Sequence, residues 1–147
     1  MRESRFEILD HTADVAVRAY GNTLPELFEN AALAMFSVMV DLGTVPLPDQ
    51  RTISVSAPTL EDLLVSWLRE LIFLFETEHL VFAQFNVEQL TQPSDDSEGR
   101  LSGMARGAPY GAGVVRTGAA IKAATYHDLK VEQAPDGRWQ VEITFDV

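Results

Sequence analysis

Three groups of residues in this 147-residue chain have types and spacing suited to binding chemistry. The first is Asp10-His11-Thr12-Ala13-Asp14, two carboxylates and an imidazole within five residues. Oxygen donors so placed suit a hard divalent cation such as calcium, magnesium or manganese. The same residues also form an ordinary polar turn, in which Asp10 and Thr12 bond the backbone and His11 is solvated, and on spacing alone the turn is preferred. The second group is the end of the sequence, where Val141, Ile143 and Phe145 alternate with Glu142, Thr144 and Asp146. A strand running that far brings the Asp146 carboxylate next to the α-carboxylate of Val147, and two anions so close repel unless a cation neutralises them. An exposed end screened by water is the plainer alternative. If the first and last strands are neighbours in a sheet, Asp14, Asp146 and Val147 converge into one oxygen-rich site.

The third group is set apart by charge. The chain has 22 acidic and 11 basic side chains, a net charge of −11, and 17 acids against five bases precede Arg100. Residues 100–127 contain no Asp or Glu, yet Arg100, Arg106, Arg116 and Lys122 lie there among five glycines. Residues 107–118 therefore read as a mobile glycine-rich loop. Its cations make either a flexible basic arm for a nucleotide, a phosphate or an acidic partner surface, or a set of ordinary solvated side chains. No Gly-Lys-Ser/Thr step follows the glycines, so they are not a Walker A phosphate loop. A charge of −11 argues against strong direct binding of nucleic acid, unless the few cations gather in one place, and against an anionic membrane surface.

Other chemistries are excluded by composition or lack a signal. There is no cysteine, which removes disulfides, thiolate nucleophiles and cysteine-based metal centres. Neither Gly-x-Ser-x-Gly nor His-Glu-x-x-His occurs, and His11, His79 and His127 are far apart in sequence. No apolar run suits a secretory signal or a membrane helix, and the cytoplasm is the expected compartment.

The elements that must position these groups follow from periodicity. Residues 6–9 and 15–20 read as strands. Thr23 followed by Glu26 matches a capping box, and Leu24, Leu27, Phe28, Ala31, Met35, Phe36 and Met39 make one apolar helix face to about residue 40. Residues 51–57 alternate as a half-buried strand. Thr59 and Asp62 cap a second helix with a wide apolar face that includes Trp67. Strands are expected at 81–90, 100–106, 120–126 running towards 132, and 139–147, with Pro135-Asp136-Gly137 as a hairpin turn. The expected architecture is a single-domain α+β sandwich over residues 1–147, its two main helices covering one face of a mixed or antiparallel sheet.

Four separated strings also resemble the archease family in the same order. They are Asp10-His11-Thr12-Ala13-Asp14-Val15 with Leu27-Phe28-Glu29-Asn30-Ala31-Ala32; Leu63-Leu64-Val65-Ser66-Trp67-Leu68-Arg69-Glu70-Leu71; Ile121-Lys122-Ala123-Ala124-Thr125-Tyr126-His127; and Phe145-Asp146-Val147. The resemblance implies an accessory protein of RNA processing with no reaction of its own. Its implied partner is the RtcB-type RNA ligase of tRNA splicing and repair, a GTP- and manganese-dependent enzyme. The implied role is to promote guanylylation of the ligase histidine and to sustain multiple turnover. A chaperone-like role towards an RNA-modifying enzyme such as a tRNA methyltransferase is the alternative. The resemblance also implies a metal site, calcium or another divalent ion, at Asp14, Asp146 and the Val147 carboxylate, with Asp10 and His11 as neighbours. Where the family often has a glutamate this chain has Ala120, and the glycine-rich loop alters the spacing, so the functional basic residue is Arg116 or Lys122, with Arg116 slightly preferred.

Overall fold

A computed structural model describes residues 5–9, 14–126 and 129–147. The turn residues Asp10, His11, Thr12 and Ala13 and the last histidine, His127, fall outside the described residues, so of the first candidate cluster only Asp14 is placed. Helix α1 spans Leu24–Met39 and helix α2 spans Leu60–Glu78. Each begins at the threonine expected from sequence. The Glu26 amide donates to Thr23 Oγ1 at 3.3 Å, the Asn22 amide donates to Glu26 Oε1 at 3.0 Å, and the Asp62 amide donates to Thr59 Oγ1 at 3.0 Å. These bonds satisfy helix N-terminal amides that have no partner inside the helix. His79 ends α2 in the left-handed conformation, φ 58°.

The strands are β1 (Phe6–Leu9), β2 (Val15–Gly21), β3 (Asp49–Ala57), β4 (Leu80–Thr91), β5 (Gly99–Pro109), β6 (Ala123–Ala124), β7 (Val131–Gln133) and β8 (Trp139–Asp146). They form two sheets. One is five-stranded, ordered β1-β2-β8-β6 with β7 also on β8, and the other is three-stranded, ordered β3-β5-β4. Every named strand pair is antiparallel. The α+β class holds, and the one mixed or antiparallel sheet expected from sequence resolves into two antiparallel ones. Helix α1 packs against β2 and β4 and so joins the two sheets, while α2 packs on β3, β5 and β6. Trp67 lies wholly buried between the helices and donates from Nε1 to the Phe28 carbonyl at 3.0 Å, which secures its one polar atom.

Two expectations fail for physical reasons. The strand foreseen at 120–132 is only β6 and β7, because the Ile121 amide turns to Met39 Sδ of α1 (3.2 Å) and the Leu129 amide closes a turn on the Tyr126 carbonyl (3.0 Å). The glycine-rich segment is not a free loop from residue 107. Gly107 belongs to β5, where a Cβ would collide with the main chain of Val81 and Phe82, and a Cβ on Gly103 would lie 2.8 Å from the Asn86 carbonyl. Both glycines let β5 approach β4, whose register shifts between Phe82 and Gln84 and between Val87 and Gln89.

Candidate functional site

Strand β8 is the element on which the candidate ligands meet. Its inward side chains Val141, Ile143 and Phe145 are buried, so the alternation turns Asp146 outward, exposed, at the strand end. On one side β2 pairs with it in the register Val15↔Phe145, Ala16↔Thr144, Val17↔Ile143. One further step along that register faces Asp14 with Asp146. On the other side Ala123 pairs with Asp146, and the Lys122 amide donates to the Asp146 carbonyl at 2.8 Å. The same one-step extension faces Lys122 with Val147. The pairing of first and last strands considered from sequence is corrected: β1 pairs with β2, and it is the second strand, β2, that lies beside β8.

Directly opposed side chains in an antiparallel pair have Cβ atoms about 4.5–5.5 Å apart, and like charges there are destabilising. The ion pairs among the described residues are Arg18 with Glu7 and Glu142, Arg51 with Glu78, and Lys130 with Glu132; none includes Asp14 or Asp146. Two facing carboxylates, in no ion pair among the described residues, suit a hard cation in the kind of donor they offer. They are fewer than a full ligand set. Among the described residues no three His, Cys, Asp or Glu side chains gather closely enough to hold an ion. Main-chain oxygens or water must complete any coordination formed by the described residues.

The two candidate basic residues occupy different places. Lys122 borders the carboxylate end, as described above. Arg116 bridges to Val40, just beyond α1, in a strip laced to that helix end. The Asp41 amide donates to the Val115 carbonyl (2.8 Å), the Val115 amide to Thr44 Oγ1 (3.0 Å), and the Thr117 amide to the Met39 carbonyl (2.9 Å). The Thr117 hydroxyl donates to the carbonyls of Ser37 (3.0 Å) and Val38 (3.2 Å). Helix α1 has no basic residue in its last turn, and this strip satisfies carbonyls that the helix leaves open. The Arg116 guanidinium lies 4.5 Å from the centre of the Tyr110 ring, which meets Phe75 edge-on at 5.1 Å. The mobile arm expected from the glycines is thus corrected to a strip held on α1.

One group near the site escaped the sequence reading. Asp62 and Arg69 lie seven residues apart on α2. Between them Tyr126 hydrogen-bonds Asp62 and sits under the Arg69 guanidinium at 5.3 Å. Burial, followed by the bond to Asp62, raises the Tyr126 pKa above its ordinary value. Glu61 Oε2 accepts from the Val131 amide at 2.9 Å, so acids of the first turn of α2 hold the chain on both sides of residues 127–128. The i,i+7 spacing of Asp62 and Arg69 was legible, but their partners come from sixty residues away.

No helix among the described residues is long and apolar enough to cross a membrane. The family model described as the archease protein family matches residues 6–147. Protein archease of Methanosarcina acetivorans is 42% identical over 143 residues, which are 97% of this chain and 96% of the relative. Protein archease of Pyrococcus furiosus is 38% identical over 143 residues, covering 97% of this chain and 99% of the relative. The solution structure of Methanobacterium thermoautotrophicum protein 1598 is similar with a TM-score of 0.78 at 33% identity, covering 97% of this chain and 99% of that one. By its sequence over nearly its whole length, and by its fold, the chain belongs to the archease protein family.

Proposed function

We propose that this chain, as an archease-type accessory protein, activates an RtcB-type RNA ligase by presenting the carboxylate end of β8 to it. Asp14, Asp146 and the Val147 carboxylate hold a divalent cation, calcium, manganese or magnesium. Lys122 beside them and Arg116 on the α1 strip supply positive charge for GTP phosphates. The observation that carries this reading is the β2–β8 register, which faces Asp14 with Asp146 and leaves two carboxylates opposed without a cationic partner among the described ion pairs. Family membership supports the partner.

The chain's own residues set the geometry. Buried Ile143 and Phe145 fix β8 in the core, so the exposed Asp146 projects from a rigid base. Pairing to β2 and β6 sets the residues next to them, Asp14 and Lys122, beside the end of β8, where the Lys122 amide donates to the Asp146 carbonyl at 2.8 Å. A bound divalent cation supplies a positive centre to which carboxylate and phosphate oxygens both coordinate.

The reading is tested by ligation with RNA ends in large excess over ligase. Added chain should raise the product from about one equivalent per ligase to many, and unchanged yield contradicts the reading. Capture from cell extract separates the alternative, because retention of a tRNA methyltransferase without the ligase favours the chaperone-like role.

A further inference from the structure

We infer that the open face of the three-stranded sheet is a contact surface for the sugar–phosphate backbone of single-stranded RNA. The registers of β3, β5 and β4 line up rows of outward side chains across this face. Gln50, Arg106 and Gln84 form the row at one end, and Ser56, Arg100 and Thr91 form the row at the other. The two rows between carry Met104 and otherwise only hydroxyl and amide side chains. In a chain with 22 acids and 11 bases, these paired rows hold no acid and two arginines. Glu88 occupies a bulge outside the rows, Glu98 stands at the hairpin rim, and Glu29 of α1, which accepts from the Val87 amide at 2.8 Å, lines the depression beside Arg106.

Both arginines are exposed and uncommitted. Arg18, Arg51 and Lys130 pair with carboxylates, and Arg69, Arg116 and Arg138 lie over aromatic rings; the described ion pairs and ring contacts include neither Arg100 nor Arg106. An open depression surrounds each, about 620 Å³ beside Arg100 and about 410 Å³ beside Arg106. Their six-residue separation on one strand is about 20 Å. That distance exceeds the gap between adjacent phosphates, and suits two non-adjacent phosphates of one extended strand better than a mononucleotide.

The chemistry selects the occupant. Arginine together with Ser, Thr, Asn and Gln is the set that contacts phosphate and sugar, and a guanidinium matches a phosphate with two parallel hydrogen bonds. The hydroxyls and amides between the arginines can donate to and accept from a ribose 2′-hydroxyl, which favours RNA over DNA. No Trp, Tyr or Phe stands in the rows, so the face lacks both the anchors of a protein interface and a stacking platform for bases. Contact through the backbone alone is sequence-tolerant and weak, as the net charge of −11 requires. The face carries two of the few cations, about 20 Å apart along β5.

The inference stands apart from the ligase reading, because its test uses the isolated chain. Fluorescence anisotropy with a short labelled oligouridylate, measured across a salt series, gives the slope of log K against log salt. Two neutralised phosphates contribute a slope of about −1.4, at about −0.7 each for single strands. The double variant Arg100→Gln, Arg106→Gln is expected to lose that contribution while remaining folded. Arg18→Gln, on the other sheet and paired with Glu142 at 2.9 Å, should leave the slope unchanged. Oligothymidylate of the same length should bind more weakly than the RNA. An unchanged slope in the double variant, no salt-dependent binding by the parent chain, or equal binding of the DNA overturns the inference.

Discussion

Replacing Asp146 by Asn should change thermal stability in opposite directions according to whether a divalent cation is present. In chelator, the parent chain carries Asp14, one residue before β2, opposite Asp146 of β8 by a one-step extension of their register, a juxtaposition that costs roughly 0.2–1 kcal/mol. Asp146→Asn removes the repulsion and keeps the shape, so it should stabilise by about 0.5 kcal/mol. For a chain of this size that is about 1–2 °C in melting temperature. In saturating calcium the parent chain gains about 2.7 kcal/mol at a free ion concentration 100 times Kd, or about 5–11 °C. The variant has lost a charged ligand and gains much less. The order of the two melting curves therefore inverts between chelator and calcium, and Asp14→Asn should behave in the same way. Calorimetry at low ionic strength is the suitable assay, because salt screens exposed charges. A variant less stable than the parent in chelator, or an equal gain from calcium in both proteins, refutes the reasoning.

Three other outcomes follow from the structure. Gly118→Ala places a Cβ 2.5 Å from the Val38 carbonyl and should cost about 1–3 kcal/mol in a melt, whereas Gly111→Ala, with nothing within 4 Å, should be neutral. Glu29 accepts from the Val87 amide at 2.8 Å, yet burial, its largest influence, raises its pKa above the ordinary value. The folded chain then binds that proton more tightly than the unfolded chain. Its contribution to stability falls as pH rises from the ordinary glutamate value through the raised one, and denaturant titrations of Glu29→Gln should lack this component. Residues appended after Val147 convert its carboxylate to a peptide and should weaken calcium binding in titration calorimetry; unchanged affinity removes Val147 from the site.

Local features of the fold were legible because they are written in neighbouring residues. The threonine caps at Thr23 and Thr59, the apolar stripes of α1 and α2, and the alternation of β8 all emerge from short windows of sequence. The division into two sheets was not legible, since it depends on pairings such as Asp49 with Gly107 that no local pattern encodes. The glycines misled for a related reason. Gly107 has the composition of a loop, but like Gly103 of the expected strand it admits a neighbouring strand, and Gly118 admits the end of α1. The placing of Asp14 opposite Asp146 was considered only on the condition that the first and last strands pair, whereas it is the second strand, β2, that pairs with β8 and brings the two opposite one step beyond its register. Arg100 and Arg106 stood out by charge alone. Their place on one open face became visible only when β5 was seen in the middle of its sheet.

Guanylylation of the ligase measures the central claim most directly. Labelled GTP is incubated with an RtcB-type ligase together with the parent chain, Asp14→Ala or Asp146→Ala, each variant first shown to be folded. The account predicts that the parent chain accelerates formation of the ligase–guanylate adduct and that both variants lose most of this stimulation. Full stimulation by both folded variants contradicts it.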